Sequence, residues 1–431
     1  MTGEPLVKIN MPLRLMFMVL LLCLFSLSVS AKETEFEFYY QRIEKVVQIN
    51  NPEPKGWWET AKSIVKSGVN LAKKTWEKAI TRNFNPGEGT KRWYSDKDKN
   101  MAYDVSRVKV TSEKHLFELM GAKSENELTD GQKALLAVYR HSKSQAVKDR
   151  MAYSYRSSIN VILSDTTGFD SPAAYPNVEQ DFWPYSSGMT IQMSSGRYNW
   201  PGSEDSAKST FVHEFSHSMD RTIKEIINPY GKDGSHFGNE LTKPRTAFVE
   251  GWAEFNEMLD SESKARSIKN NIGVIKIEDK KKAGTYTNVE PETLSGDDLL
   301  SVEGINAVIM YRIAKESENG RKKIFDAFTS SRWKLFRSLK TITLELAKKN
   351  PADIALIGKI IDEQTLGKLS DTEMMKFIGE SDEAKAYLQS RVEAQATEEN
   401  AADNSGVSAT TNGSPLDIEV KTESSNPFSV K

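Results

Sequence analysis

Apolar residues recur at helical spacing over most of this chain and alternate in only two short stretches. With successive residues turning by about 100°, Phe211, Val212, Phe215 and Met219 share one face, which predicts a buried helix side, and His213 and His217 lie on another. Ser203 can cap the start of this helix. Glu204 and Asp205 suit the positive end of its dipole, and no Gly or Pro follows before Pro229. A second helical run covers 247–255. Residues 101–157 read as mostly helical, broken at Asp130-Gly131. A strongly apolar helix over 297–315 should pack against the two runs above. The chain stays helical to about Arg391, with Ser370-Asp371-Thr372-Glu373 opening one of those helices. Alternating or wholly apolar short runs at 159–163 and 188–194 read as strands, separated by a Pro-rich loop over 170–184. These elements predict an α+β, helix-rich fold in which a small sheet and a larger helical lobe share one cleft.

The ends stand apart from this pattern. Lys8 and Arg14 precede an apolar run over 15–27, and Ser28-Val29-Ser30-Ala31 supplies small residues for cleavage, so residues 1–31 read as a signal peptide. The apolar core is short for a membrane span. Residues 32–100 read as a helical N-terminal accessory region or pro-region. Within 57–82, Trp57, Ile64, Val65, Val69, Trp76 and Ile80 alternate at helical spacing with Lys62, Lys66, Lys73, Lys74, Lys78 and Arg82. That stretch admits a peripheral contact with an anionic membrane as well as ordinary packing on the body of the protein. The turn cluster at 83–89 ends it. Residues 101–393 form the main domain. From Ala394 to Lys431 almost nothing can be buried, which predicts a disordered tail. No internal repeat is visible.

Composition adds little to the fold and more to the chemistry. The 431 residues include 27% charged residues and carry a formal net charge of −2, so nothing points to a nucleic-acid partner. The only cysteine, Cys23, lies inside the signal-like run. A mature chain without it has neither a disulfide nor a thiolate nucleophile, which suits export to a bacterial envelope or medium.

The chemistry concentrates in His213-Glu214-Phe215-Ser216-His217, which uses two of only five histidines in the chain. One helical turn apart, the two imidazoles can share a metal ion, with Glu214 alongside as a general base. The following helix carries Glu250 and Glu254 four residues apart on one face. A catalytic zinc takes three protein ligands and keeps one position open. Glu250 can be the third ligand, and Glu254 is placed to accept the N–H of a ligating imidazole. The same acids also read as a solvated helix face. His115 and His141 have no partner at ligand spacing and read as surface or packing residues. Glu303 and Tyr311 read as packing residues within reach of the site. Phe182, Trp183 and Tyr185 read as loop packing or cleft lining.

Over roughly 188–260 this combination resembles the gluzincins, zinc metallopeptidases with a His-Glu-x-x-His helix followed by a Glu-x-x-x-Asp/Glu helix. The Glu-x-x-Ala-Glu form of the second helix is nearest to the thermolysin-like and lethal-factor-like catalytic domains. A metzincin would continue with Gly and His where Asp220 and Ile223 stand. The resemblance implies a zincin-like fold with a small sheet above the zinc helix, and one Zn2+ on His213, His217 and Glu250. It also implies an edge strand at 188–194 that pairs with extended substrate, and a His or Tyr that stabilises the oxyanion. In the loop between the motif helices, His236 and Tyr230 are the candidates for that last role. The expected function is an exported zinc-dependent peptidase acting on peptides or proteins. Two other readings are an exported zinc-binding interaction protein without turnover, and a chance motif in a structural helical protein.

Overall fold

Acids and phenylalanines alternate at Glu35-Phe36-Glu37-Phe38, and this alternation opens the longest strand of the sheet. The computed structural model describes residues 35–48, 88–94, 101–154, 158–165, 173–176, 188–219, 238–279, 282, 284–331 and 337–405. Strands β1 (Glu35–Gln48), β2 (Gly89–Tyr94) and β3 (Met101–Lys109) come first. Helices α1 (Glu113–Met120), α2 (Asp130–His141) and α3 (Gln145–Met151) follow. Then come β4 (Ser158–Asp165), β5 (Ala173–Pro176) and β6 (Gly188–Ser194). Together they form a six-stranded mixed sheet in the order β2-β3-β1-β4-β6-β5. β1, β4 and β6 run parallel, while β3 and β5 run antiparallel to β1 and β6.

Three expectations change here. Residues 35–48 and 89–94 are strands, so the N-terminal region is not a helical accessory or pro-region set apart from the body: β1 lies between β3 and β4 and cannot be removed without splitting the sheet. The stretch 101–109 is strand β3, and helix begins only at Glu113 after the Ser112 cap. Strand β6 is not the edge, because β5 covers it from Met189 to Gln192. The segment 57–82 and the signal-like residues 1–31 lie outside the described residues.

One face of the sheet is apolar. Phe36, Phe38, Ile159, Val161, Ile191 and Met193 share it by register. The helix α4 (Glu204–Ser216) lies against it: the Phe36 ring sits 5.5 Å from Phe211 and 5.3 Å from Phe215. Phe38 meets Tyr139 of α2 edge-on at 4.9 Å. The sheet therefore lies over the helix that carries both motif histidines.

The helical lobe begins with α5 (Pro244–Asp260) and α6 (Glu262–Asn271), followed by a hairpin of β7 (Ile275–Glu278) and β8 (Tyr286–Val289). It continues through α7 (Gly296–Leu299), α8 (Glu303–Glu316), α9 (Gly320–Ser330), α10 (Leu339–Lys349), α11 (Ile354–Gln364) and α12 (Asp371–Ile378). As expected, α8 is apolar along nearly its whole length and buried, although a break at Leu300–Val302 separates it from α7. It packs closely on α5 because Gly251 has no side chain. A Cβ there would stand 2.6 Å from the Glu303 carbonyl oxygen and 2.7 Å from Asn306 Cβ. Trp252 stacks on Phe328 at 3.8 Å, with Phe325 and Phe255 around it, and this aromatic cluster ties α5 to α9. The capping box expected at Ser370 is present, with Glu373 closing it.

Residues 380–431 form a second unit, whose described part is the helix α13 (Asp382–Ser405). The expected disordered tail is thus helical as far as Ser405. Ala, Glu and Gln dominate over 393–399, and their high helix propensity sustains a helix that has little to bury. No helix among the described residues is long and apolar enough to cross a membrane.

Candidate metal centre

Helix α4 places its histidines by burying the opposite side. Phe211, Val212, Phe215 and Met219 are fully buried, as their spacing predicts. Ser203 stands at the N-cap but does not cap with its hydroxyl, which instead donates to the Tyr198 carbonyl. Glu204 and Asp205 occupy the first turn, where they favour the dipole. After Ser216 the backbone tightens into a 3₁₀ turn over His217–Met219. Arg337 holds this end: its guanidinium lies 4.2 Å from the Phe328 ring centre and donates to the Met219 carbonyl at 3.0 Å.

Helix α5 crosses close by and brings Glu250 between the two imidazoles. Glu250 Oε2 lies 3.2 Å from His213 Nε2 and 3.4 Å from His217 Nε2. The rings are 5.1 Å apart and nearly perpendicular, at 81°. These residues form the only group of three possible ligands among the described residues, with all ligand atoms within 4.8 Å of one another. A tetrahedral ion with bonds of about 2.0–2.1 Å needs ligand atoms about 3.3 Å apart, and the two distances from Glu250 to the histidines bracket that value. Two imidazoles and a carboxylate also form a donor set suited to a borderline divalent ion. The site can hold a metal ion. The side chains of His213, His217 and Glu250 remain 20%, 13% and 16% exposed, so the triad keeps some contact with solvent.

Electrostatics reinforce this grouping. Burial works against charge on His213, but the hydrogen bond to Glu250 and the nearby carboxylate of Glu257 override it and hold the imidazole well above its ordinary value. Burial likewise opposes charge on Glu250, yet His217 and His213 hold its carboxyl well below the usual range. Glu214 behaves differently. Burial pushes its carboxyl up, and the two histidines only partly oppose that shift. It feels the charges of both histidines and of Glu250 without joining the ligand group, consistent with a carboxylate beside the site.

The carboxylate that faces the His213 ring is not that of Glu254. Glu257, one further turn along α5, faces His213: its Oε2 lies 3.6 Å from Nδ1. Its Oε1 accepts from the Ser209 hydroxyl at 2.9 Å, and Lys264 of α6 meets Oε2 at 2.9 Å. Glu254 is instead buried beside Gly238, and its Oε2 has no hydrogen-bond partner among the described residues. Burial, with the charges of Glu303 and Glu257, pushes its carboxyl up to about 8. Glu257 stands seven residues after Glu250, on the same helix face, so the spacing allowed either acid. Which one meets the ring depends on how α5 crosses α4.

Other candidates fall away from the triad. His236, Tyr230, Phe182, Trp183 and Tyr185 lie outside the described residues. His115 is a surface residue that bonds Thr111, and His141 packs 3.5 Å from Asp260. Tyr311 donates to Glu262, and Glu303 is buried behind Glu254. Comparison with known proteins finds no matching family model, no matching curated protein and no matching solved structure.

Proposed function

We propose that this chain is an exported zinc-dependent peptidase of the gluzincin type. The observation that carries the reading is the approach of Glu250 Oε2 to His213 Nε2 and His217 Nε2 at 3.2 and 3.4 Å, the separation a tetrahedral ion needs. Zn2+ held there would supply an acidified water and polarise a substrate carbonyl. His213 and His217 would bind through Nε2 as neutral imidazoles, and Glu250 through its carboxylate. Glu214 takes a proton from the attacking water and delivers it to the leaving amine. Its raised pKa makes the carboxylate a stronger base toward the proton of the attacking water. The short antiparallel edge strand β5, next to β6, offers a backbone edge to which an extended peptide can add.

Metal analysis of the purified chain, coupled to cleavage of a peptide library, tests this reading. The expected result is one Zn2+ per chain and chelator-sensitive cleavage. A chain that purifies and refolds without measurable affinity for zinc would overturn it.

A further inference from the structure

We propose that Glu257, clamped by Ser209 and Lys264, fixes the tautomer of His213, so that Lys264 on α6 sets how tightly the triad holds a divalent metal. The inference rests on the metal-centre reading above. A neutral imidazole has one donor and one acceptor nitrogen. For His213 Nε2 to bind a metal, the proton must sit on Nδ1, and there it needs an acceptor. Glu257 Oε2 faces Nδ1 at 3.6 Å. That is longer than a hydrogen bond, but catalytic contacts of this kind tighten as a site fills.

The carboxylate has little freedom. Ser209 of α4 donates to one oxygen at 2.9 Å, Lys264 forms an ion pair with the other at 2.9 Å without hydrogen-bond geometry, and the Glu257 side chain is only 4% exposed. A single buried carboxylate thus joins α4, α5 and α6 directly beneath a ligand ring. Lys264 comes from α6, whose N-cap Ser261 follows immediately on α5, so the docking of that helix is transmitted to the metal ligand. Without the lysine, Glu257 would keep its negative charge but lose the partner that fixes its position and neutralises its burial. An uncompensated buried carboxylate then turns toward any available proton, and its aim at Nδ1 loosens. Both Glu257 and Lys264 act through His213, which makes them positioning residues.

The test is zinc affinity, measured by competition with a chromophoric chelator on the full chain. Glu257→Gln should weaken Zn2+ binding about 10–100-fold, as losses of such supporting partners do. Lys264→Met should weaken it several-fold in the wild-type background and not at all in Glu257→Gln, since both act on one contact. Nitrogen NMR of the zinc-loaded protein should show a His213 Nδ1–H that exchanges slowly in wild type and rapidly in Glu257→Gln. Glu254→Gln should bind zinc like wild type. If Glu257→Gln does not fold, Ser209→Ala and Lys264→Met carry the test, because both loosen the carboxylate without removing it. Unchanged affinity in Glu257→Gln, or in both loosening variants, overturns the proposal. So does an equal loss in Glu254→Gln. A wild-type chain that binds no zinc defeats the metal-centre reading itself and is recognised before any variant is compared.

Discussion

Glu254 and Glu257 sit one turn apart on the same helix and face opposite electrostatic fates. His213 and Lys264 hold Glu257 ionised against its burial, whereas at Glu254 burial and the negative charges of Glu303 and Glu257 outweigh the positive charges of Lys264 and His213. With its carboxyl pushed up to about 8 from an ordinary 4.5, Glu254 takes up a proton on folding anywhere between those values. The unfolded state then binds fewer protons than the native one, so stability falls as pH rises through that window. For one group the slope is at most about 1.4 kcal/mol per pH unit. Glu254→Gln removes the slope. In chelator-treated protein the variant should match wild type near about pH 5 and exceed it by roughly 1–3 kcal/mol near about pH 8. Urea denaturation at both pH values checks this, and an equal difference at the two would contradict it. The triad responds in another way. Alanine at His213, His217 or Glu250 should strip most of the metal, measured as zinc content after gel filtration. At this scale the pairing of the two imidazoles was legible because i, i+4 spacing on one helix places them together whatever surrounds them. The supporting carboxylate was not. Choosing between acids four and seven residues beyond Glu250 requires the crossing angle of α4 and α5, which neither helix encodes alone.

The contact between α5 and α8 depends on Gly251, immediately after the ligand Glu250. Gly251→Ala would force its Cβ against the Glu303 carbonyl and Asn306, so α8 must retreat. Such overpacking costs about 1–3 kcal/mol. A lower melting temperature and a weakened zinc affinity should appear together, because the same clash pushes back on α5, which carries Glu250. Retention of both values would mean that α8 yields without moving α5. Elements were unevenly legible. Helices α4, α5, α8 and α12 follow from apolar spacing and capping residues, and β4 and β6 from apolar runs bounded by turns. Strand β1 opens on a clear Glu-Phe alternation, but its second half, Arg42-Ile43-Glu44-Lys45, is polar and contains a register shift between Ile43 and Lys45. Strands β2 and β3 carry too many charges for their pattern to read as sheet. The partner strands stabilise them rather than any intrinsic preference. Pairing of β5 with β6 is a tertiary event of the same kind, and it moves the sheet edge away from 188–194.

Across the whole molecule, a sheet with one apolar face lies over the histidine helix, and a helical lobe brings in the acids. The triad exists only where those two parts meet. Residues 35–48 belong to the middle of that sheet, so a chain started at residue 101 loses β1 and β2 and should fail to give a soluble folded protein. A folded, zinc-binding truncation of that kind would restore the accessory reading of the N-terminal region. Cleavage after Ala31, by contrast, leaves β1 whole, and N-terminal sequencing of exported protein should find Lys32. Because the candidate ligands come from two helices, metal binding there would be linked to folding. Zinc at about a thousand times its dissociation constant should add roughly 4 kcal/mol of stability. The helix-rich α+β class was legible from periodicity, whereas the strand order was not, since three of the six strands have weak patterns.

The central claim is that Glu214 performs proton transfer at a metal site it does not help to hold. Glu214→Gln keeps the size and one hydrogen-bonding oxygen but cannot accept a proton near neutral pH. Loss of a general base costs about 10²–10⁴ in rate. Zinc content and cleavage of a peptide library, measured side by side on wild type and Glu214→Gln, address the claim directly. The account predicts one Zn2+ per chain in both proteins, and cleavage by the wild type alone. Equal cleavage by both would contradict it, and stoichiometric zinc with no cleavage by either would make the site a binding centre without turnover.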